Sequence, residues 1–159
     1  MNGIVITKSE MKFGPFLEEN FFKIENSKLH KSLGQGFKIV EFVVLKGDKI
    51  LFVEAKPNRY ILSVGNPKLD EKIKELQEKF ENSLDLFLSV RVGIREDSYR
   101  QIGENLVYKE LSTVKGRFFL VIKDADESLC EKLTVTLQDV MRRKLAIHKF
   151  ELMVINCLW

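Results

Sequence analysis

The chain has 159 residues, of which 45% are hydrophobic and 31% are charged, and its formal net charge at pH 7 is +3. This composition is that of an ordinary soluble protein, and the length predicts a single domain over residues 1–159. The small positive charge is compatible with a polyanionic ligand but does not indicate one, because many proteins without such a ligand are equally basic.

The sequence excludes several other classes of protein. Cys130 and Cys157 are too few for a disulfide framework, and no Cys or His residues have the spacing of a zinc site. We expect both thiols to be buried in a protein of the reducing cytoplasm. The apolar run near the N-terminus is only three residues long, and no other segment could cross a bilayer, so we expect neither a signal peptide nor a membrane partner.

The N-terminal third of the chain allows two interpretations. Four residues recur at a spacing that would place them on one face of a helix: Phe22, Glu25, Leu29 and Leu33. We favour a helix over most of this segment, ending at Gly34 or Gly36. The segment NFFKIEN could instead form a short strand.

The clearest local pattern is a β-hairpin. Segments 37–46 (FKIVEFVVLK) and 49–56 (KILFVEAK) are rich in β-branched and aromatic residues, and the Gly47-Asp48 pair between them is typical of a two-residue turn. With that turn Lys46 pairs with Lys49, and Glu41 lies directly opposite Glu54. Side chains alternate along a strand, so Lys56 shares the face of Glu54.

Both faces of this hairpin are apolar, which predicts that it is central in a sheet and covered on both sides. One face carries Ile39, Val43, Leu45, Ile50 and Phe52 beside the charged residues, and the other carries Val40, Phe42, Val44, Leu51, Val53 and Ala55. Two carboxylates opposite each other in a covered sheet repel, and an unpaired charge there costs several kcal/mol.

A cation would relieve that repulsion. Lys56 supplies one positive charge, which is too little for Glu41, Glu54 and any further acid, so we expect a divalent metal ion. Hard oxygen ligands favour Mg²⁺ or Mn²⁺ over zinc. The alternative is a structural network of Glu and Lys in which one Glu is protonated or reaches solvent.

The rest of the chain predicts a long amphipathic helix and a βαβ unit. Asn66 and Pro67 are suited to the start of a helix over residues 67–90. A buried strand over residues 117–123, a second helix over residues 129–145 and another strand over residues 151–157 would give a parallel pair. Residues 95–116 form a polar connection with one possible edge strand at 106–111.

Glu54-Ala55-Lys56 on a strand after a hairpin, with an acid on the preceding strand, resembles the PD-(D/E)xK nuclease superfamily. The resemblance is strongest over residues 37–58. It implies an α/β (mixed α+β) fold with a restriction-endonuclease-like core, in which helices flank a central mixed sheet with an antiparallel hairpin and a parallel βαβ unit. That family's elements follow the order helix, three antiparallel strands, crossover helix and further strand.

The resemblance also implies roles for individual residues. Glu41, Glu54 and Lys56 would be catalytic, with Lys56 orienting the attacking water. Glu41, Glu54 and the carbonyl of Ala55 would bind the metal together with an acid of the first helix. Glu25 is the choice for that acid, and the alternatives are Glu18 and Glu19.

The implied function is that of a Mg²⁺-dependent (or Mn²⁺-dependent) nuclease that hydrolyses phosphodiester bonds of DNA or RNA, with nucleic acid as its partner. One departure from the family is Glu41, which stands where the family usually has Asp. The alternatives are a module of the same fold that binds nucleic acid or protein without cleavage, and a structural subunit of a larger complex. A protein partner or a homo-oligomer is compatible with either.

Overall fold

The computed structural model describes residues 3–58, 67–94 and 101–157. Its strands are β1 (Ile4–Lys8), β2 (Met11–Phe16), β3 (Phe21–Phe22), β4 (Phe42–Lys46), β5 (Lys49–Lys56), β6 (Lys115–Ile122) and β7 (Glu151–Ile155). Its α-helices are α1 (Lys28–Ser32), α2 (Leu69–Arg91), α3 (Glu104–Tyr108), α4 (Glu127–Val140) and α5 (Arg142–His148). None of these helices is long and apolar enough to span a membrane.

A mixed sheet organises the fold, as the sequence predicts. The strand order is β3-β4-β5-β6-β7, in which β3, β4 and β5 are antiparallel neighbours and β5, β6 and β7 are parallel neighbours. The two parallel connections contain helices, α2 between β5 and β6 and α4 between β6 and β7. Strands β1 and β2 form a separate two-stranded antiparallel hairpin.

Apolar residues cover both faces of the central strands. The larger core lies on the helix-bearing face and contains Val43, Leu45, Ile50, Phe52, Phe80, Leu84, Phe87, Phe118 and Leu120. The smaller core lies on the opposite face and contains Phe13, Phe21, Phe42, Val44, Leu51, Val53, Ala55, Phe119 and Val121. The β1–β2 hairpin supplies Phe13 and further apolar contacts to the smaller core, so it covers the face that the helices leave open.

The predicted hairpin is confirmed over most of its length. Gly47 and Asp48 form the turn, Lys46 pairs with Lys49, and Phe42 pairs with Val53. The face assignment fails only at Val40, which belongs to the helix-side core with Ile39 rather than to the core of Phe42. The strict alternation of side chains therefore ends where β4 begins.

The helix favoured for the N-terminal third is wrong over its first half. Phe21 and Phe22 are both buried, but Phe21 belongs to the smaller core and Phe22 to the larger one. Consecutive side chains on opposite faces of a sheet are the pattern of a strand, whereas consecutive side chains of a helix are only about 100° apart. The short-strand alternative holds here, and Glu25 lies between β3 and α1 rather than on a helix.

Of the helix predicted for the N-terminal third, only the short α1 is present. The Ser27 side chain accepts a hydrogen bond from the backbone N–H of His30 at 3.1 Å, which caps the start of α1. The helix ends before Gly34, whose φ of +86° suits glycine.

The C-terminal elements agree with the sequence, with local differences. Helix α2 begins two residues after the predicted Pro67, and the predicted cap Asn66 lies outside the described residues. The second predicted helix is two helices, α4 and α5, which are separated by the buried Met141, whose backbone angles (φ −102°, ψ 8°) are not helical. Cys130 is buried as predicted, but Cys157 is exposed, so the prediction of two buried thiols is wrong for Cys157.

The possible edge strand at residues 106–111 is also wrong. Residues Glu104–Tyr108 form α3, in which the adjacent Leu106 and Val107 are both buried. Two adjacent buried side chains fit one face of a helix and do not fit the alternation of an edge strand with one buried face.

Ser83 connects helix α2 to the chain just before Glu41. It is fully buried, its hydroxyl accepts a hydrogen bond from the backbone N–H of Val40 at 2.8 Å, and it donates one to the carbonyl of Lys79 at 2.6 Å. Because Val40 is also fully buried, its N–H group has no solvent to replace this acceptor.

Replacing Ser83 with Ala should lower the free energy of unfolding by about 1–3 kcal/mol, because a buried N–H group loses its acceptor. Chemical denaturation of the purified variant measures the loss. Ser89→Ala is the control, since Ser89 lies on the same helix and its hydroxyl bonds only the helical carbonyl of Leu86 in the described structure. Equal losses in the two variants would contradict the role assigned to Ser83.

Candidate functional site

The predicted site residues lie where β4 and β5 separate. Strand β5 continues to Lys56 beside β6, whereas β4 begins only at Phe42. The ladder ends at Phe42 and Val53, one residue short of the predicted pair of Glu41 with Glu54. Instead, the backbone N–H of Glu41 donates to the carbonyl of Val53 at 3.0 Å, which fixes Glu41 beside the end of the ladder.

Glu54 is the most buried charged group of the site. Its side chain has no exposed surface, and its Oε1 accepts a hydrogen bond from Lys79 Nζ at 2.6 Å. Lys56 Nζ lies 3.1 Å from the same oxygen, so the expected proximity of Glu54 and Lys56 is confirmed. The second oxygen, Oε2, is buried and accepts no hydrogen bond from the described residues.

Lys79 was not predicted as a member of this site. It comes from α2, where Leu76, Phe80 and Ser83 are all buried, and its own side chain is only 12% exposed. Burial would lower the pKa of Lys79, but the charge of Glu54 and the hydrogen bond to it raise that pKa. The signal that could have identified Lys79 in the sequence is its position at the edge of the apolar face of the predicted helix.

A second group joins Glu41, Glu25 and Lys8. Lys8 Nζ at the end of β1 lies 3.0 Å from Glu25 Oε2 and 3.0 Å from Glu41 Oε2. The structure therefore brings Glu25 next to Glu41, although Glu25 is not on the helix from which it was selected. Sequence reasoning missed Lys8, because nothing in the sequence predicts that the N-terminal hairpin folds back over the sheet.

The two carboxyl groups differ in protonation. Burial, a hydrogen bond with Glu25 and the charge of Glu54 together raise the pKa of Glu41 to about 8. Burial would also raise the pKa of Glu25, but its hydrogen bonds with Glu41 and Lys8 lower that pKa. At neutral pH Glu41 is therefore the protonated partner and Glu25 the carboxylate.

Lys8 remains a cation in this group. Burial would lower the pKa of Lys8, but hydrogen bonds to Glu25 and Glu41, with the charges of these carboxyl groups, raise it. Lys8, Lys56 and Lys79 thus supply the positive charge next to the carboxylates of Glu25 and Glu54 and the protonated Glu41, so the charge that the sequence analysis assigned to a metal ion comes from lysines. This arrangement corresponds to the network of Glu and Lys that the sequence analysis gave as the alternative to a metal site. The charges of the site therefore do not by themselves require a metal ion.

The remaining predicted ligands lie in different places. The Ala55 carbonyl accepts a hydrogen bond from the Ser9 hydroxyl at 3.1 Å, at the end of β5 that β4 does not cover. Glu18 and Glu19, the alternatives to Glu25, are exposed on a 3₁₀ helix and line a different cleft with Gln101.

Within residues 3–58, 67–94 and 101–157, no group of three or more His, Cys, Asp or Glu side chains is arranged to hold a metal ion. Comparison of the chain with protein-family models, with curated proteins and with solved structures found no match in any of the three. The site must therefore be interpreted from its own geometry.

The raised pKa of Glu41 predicts how stability depends on pH. The folded chain holds this proton more tightly than the unfolded chain, whose Glu41 has a pKa near the ordinary 4.5. The resulting stabilisation is complete below pH 4.5 and is lost as the pH rises toward 8. Glu41→Gln, which keeps a neutral side chain of similar shape, should not lose it.

Urea denaturation with EDTA at pH 5 and pH 8 tests this prediction. The free energy of unfolding of Glu41→Gln, relative to wild type, should increase from pH 5 to pH 8. Glu131→Gln, at an exposed position of α4, controls for the loss of one surface charge. A difference between Glu41→Gln and wild type that stays constant over this range would contradict the assignment.

Proposed function

We propose that the protein is a metal-dependent nuclease with a restriction-endonuclease-like core. The order of its main elements supports this fold: three antiparallel strands (β3, β4 and β5), a crossover helix (α2) and a parallel strand (β6). It departs from the order implied by the resemblance at the N-terminus, where the β1–β2 hairpin precedes β3 and the short α1 follows it.

The observation that carries the proposal is the buried Glu54 carboxylate beside Lys56 at the open end of β5. Burying an ion pair gives little or no net stability, because the loss of hydration offsets much of the attraction between the charges. Apolar side chains of similar size would fill this position at least as well. A cluster of buried acids and lysines with perturbed pKa values is typical of a functional site.

The chemical type of the groups present fits a hard divalent cation, although the acids among the described residues are not arranged to hold one in this structure. Mg²⁺ or Mn²⁺ would be held by the carboxylates of Glu41, Glu54 and Glu25 and by the carbonyl of Ala55, which are all oxygen ligands. The buried Glu54 Oε2, which lacks a donor among the described residues, is the group that gains most from a cation. Glu41 would give up its proton for this purpose.

The chemistry divides between the cation and Lys56. When bound, the cation supplies Lewis-acid chemistry to the phosphodiester. Lys56, whose Nζ lies 3.1 Å from Glu54 Oε1 and whose side chain is 16% exposed, can donate a hydrogen bond to a water from the solvent side. Its role is to orient that water for attack on phosphorus in DNA or RNA.

A second candidate is a module of the same fold that binds nucleic acid or protein without cleavage. The observation that favours it is the pairing of the three acids with Lys8, Lys56 and Lys79, which lets the site persist without a metal. Such a module would bind nucleic acid with an affinity that falls as the salt concentration rises, and would show no turnover with Mg²⁺ or Mn²⁺.

Lys56→Ala should reduce the rate of DNA or RNA cleavage with Mg²⁺ or Mn²⁺ by about 10²–10⁴-fold, the usual contribution of a group that positions or transfers a proton. Lys49→Ala is the matched control, because Lys49 begins the same strand and pairs on the surface with Asp48. Gel assays on labelled substrates measure the rates, and thermal melts show whether each variant is folded.

Parallel purification of the parent and both variants controls for contaminating nucleases. Cleavage by folded Lys56→Ala at the parental rate would rule out the assigned role of Lys56. Salt-dependent binding by the parent without cleavage in either metal would favour the second candidate.

A further inference from the structure

The tip of the N-terminal hairpin lies against the candidate metal site. Ser9 and Glu10 form a two-residue turn with φ values of +50° and +62°, between Lys8 of β1 and Met11 of β2. Three consecutive residues of this tip contact three different parts of the fold. Lys8 pairs with Glu25 and Glu41, Ser9 bonds the Ala55 carbonyl, and Glu10 lies 3.3 Å from Lys123 Nζ.

The first two of these contacts use groups that a cation would need. The Lys8 ammonium lies 3.0 Å from an oxygen of Glu25 and 3.0 Å from an oxygen of Glu41, and the Ser9 hydroxyl donates to the Ala55 carbonyl. Of the four groups proposed as ligands, only Glu54 has no contact with the tip among the described residues. A divalent ion and the Lys8 ammonium therefore compete for the same oxygens.

The tip is held by polar contacts. The Glu10 side chain is 66% exposed, so its pair with Lys123 contributes little to stability, whereas Lys8 is 33% exposed and pairs with the less exposed Glu25 and Glu41. The body is anchored differently, through the buried Phe13 and its ring contact with Phe42 at 5.6 Å between centroids. A movement of the tip would break these polar contacts and leave the apolar contacts of the hairpin in place.

We propose that residues Lys8–Glu10 are a built-in plug of the metal site, which must lift before Mg²⁺ or Mn²⁺ can bind. This inference rests on the proposed function. The plug stabilises the metal-free protein because the Lys8 ammonium pairs with the carboxyl groups of Glu25 and Glu41. It also weakens the apparent metal affinity, which equals the affinity of the open form multiplied by the fraction of molecules in which the tip is open.

Titration of the full chain with Mn²⁺, followed by electron paramagnetic resonance of free Mn²⁺, tests the plug. Lys8→Met keeps most of the apolar stem but removes the charge, and it should bind Mn²⁺ about tenfold more tightly if the tip is open in about a tenth of wild-type molecules. Ser9→Ala should shift the affinity in the same direction by less. Lys12→Met, at an exposed position of the same hairpin, should leave it unchanged.

The outcomes separate the plug from the metal site itself. Equal binding by all four proteins would overturn the plug and leave the metal site intact, whereas binding by none would overturn both. Adding Glu41→Gln to Lys8→Met should abolish the gain, and a gain that persisted would overturn the plug. If thermal melts show that Lys8→Met does not fold, the comparison of Ser9→Ala with wild type decides the question.

Discussion

The burial of the Glu54 carboxylate is the constraint on which the site depends. A carboxylate with no exposed surface requires positive groups within hydrogen-bonding distance, and Lys56 of the same strand and Lys79 of α2 meet that requirement at one oxygen. Because Lys79 belongs to α2, this ion pair also links that helix to the end of β5. Packing of the core and charge balance in the site therefore constrain each other.

The second constraint is the early end of β4. Since the ladder stops at Phe42, β4 does not extend alongside residues 54–56 at the end of β5. The β1–β2 hairpin places Lys8 next to Glu41 and Ser9 next to the Ala55 carbonyl at this end of the ladder. The result is a group of acids paired with lysines in the absence of a metal. Under the proposed function, a local movement of the tip would free their oxygens for a cation.

The predictions from sequence were most successful where they depended on local patterns, namely the alternation of side chains along a strand and the residue types of a turn. Alternation and the Gly47-Asp48 turn were enough to predict the register of the hairpin and the contact between Glu54 and Lys56. The sequence did not predict Lys8 and Lys79 as members of the site, because their positions depend on the packing of elements that are distant in the chain. The turn at Ser9 and Glu10 has positive φ values without the usual Gly or Asn, so the N-terminal hairpin carried no recognisable turn signal.

The central claim is that the oxygens around Glu54 form a cation site. A crystal structure of the protein grown with Mn²⁺, with anomalous data collected at the manganese edge, tests it most directly. The account predicts an anomalous peak bound by the Glu54 and Glu41 carboxylates and the Ala55 carbonyl, with the Lys8 ammonium displaced. Absence of a peak there, with Lys8 still paired to Glu25 and Glu41, would contradict it.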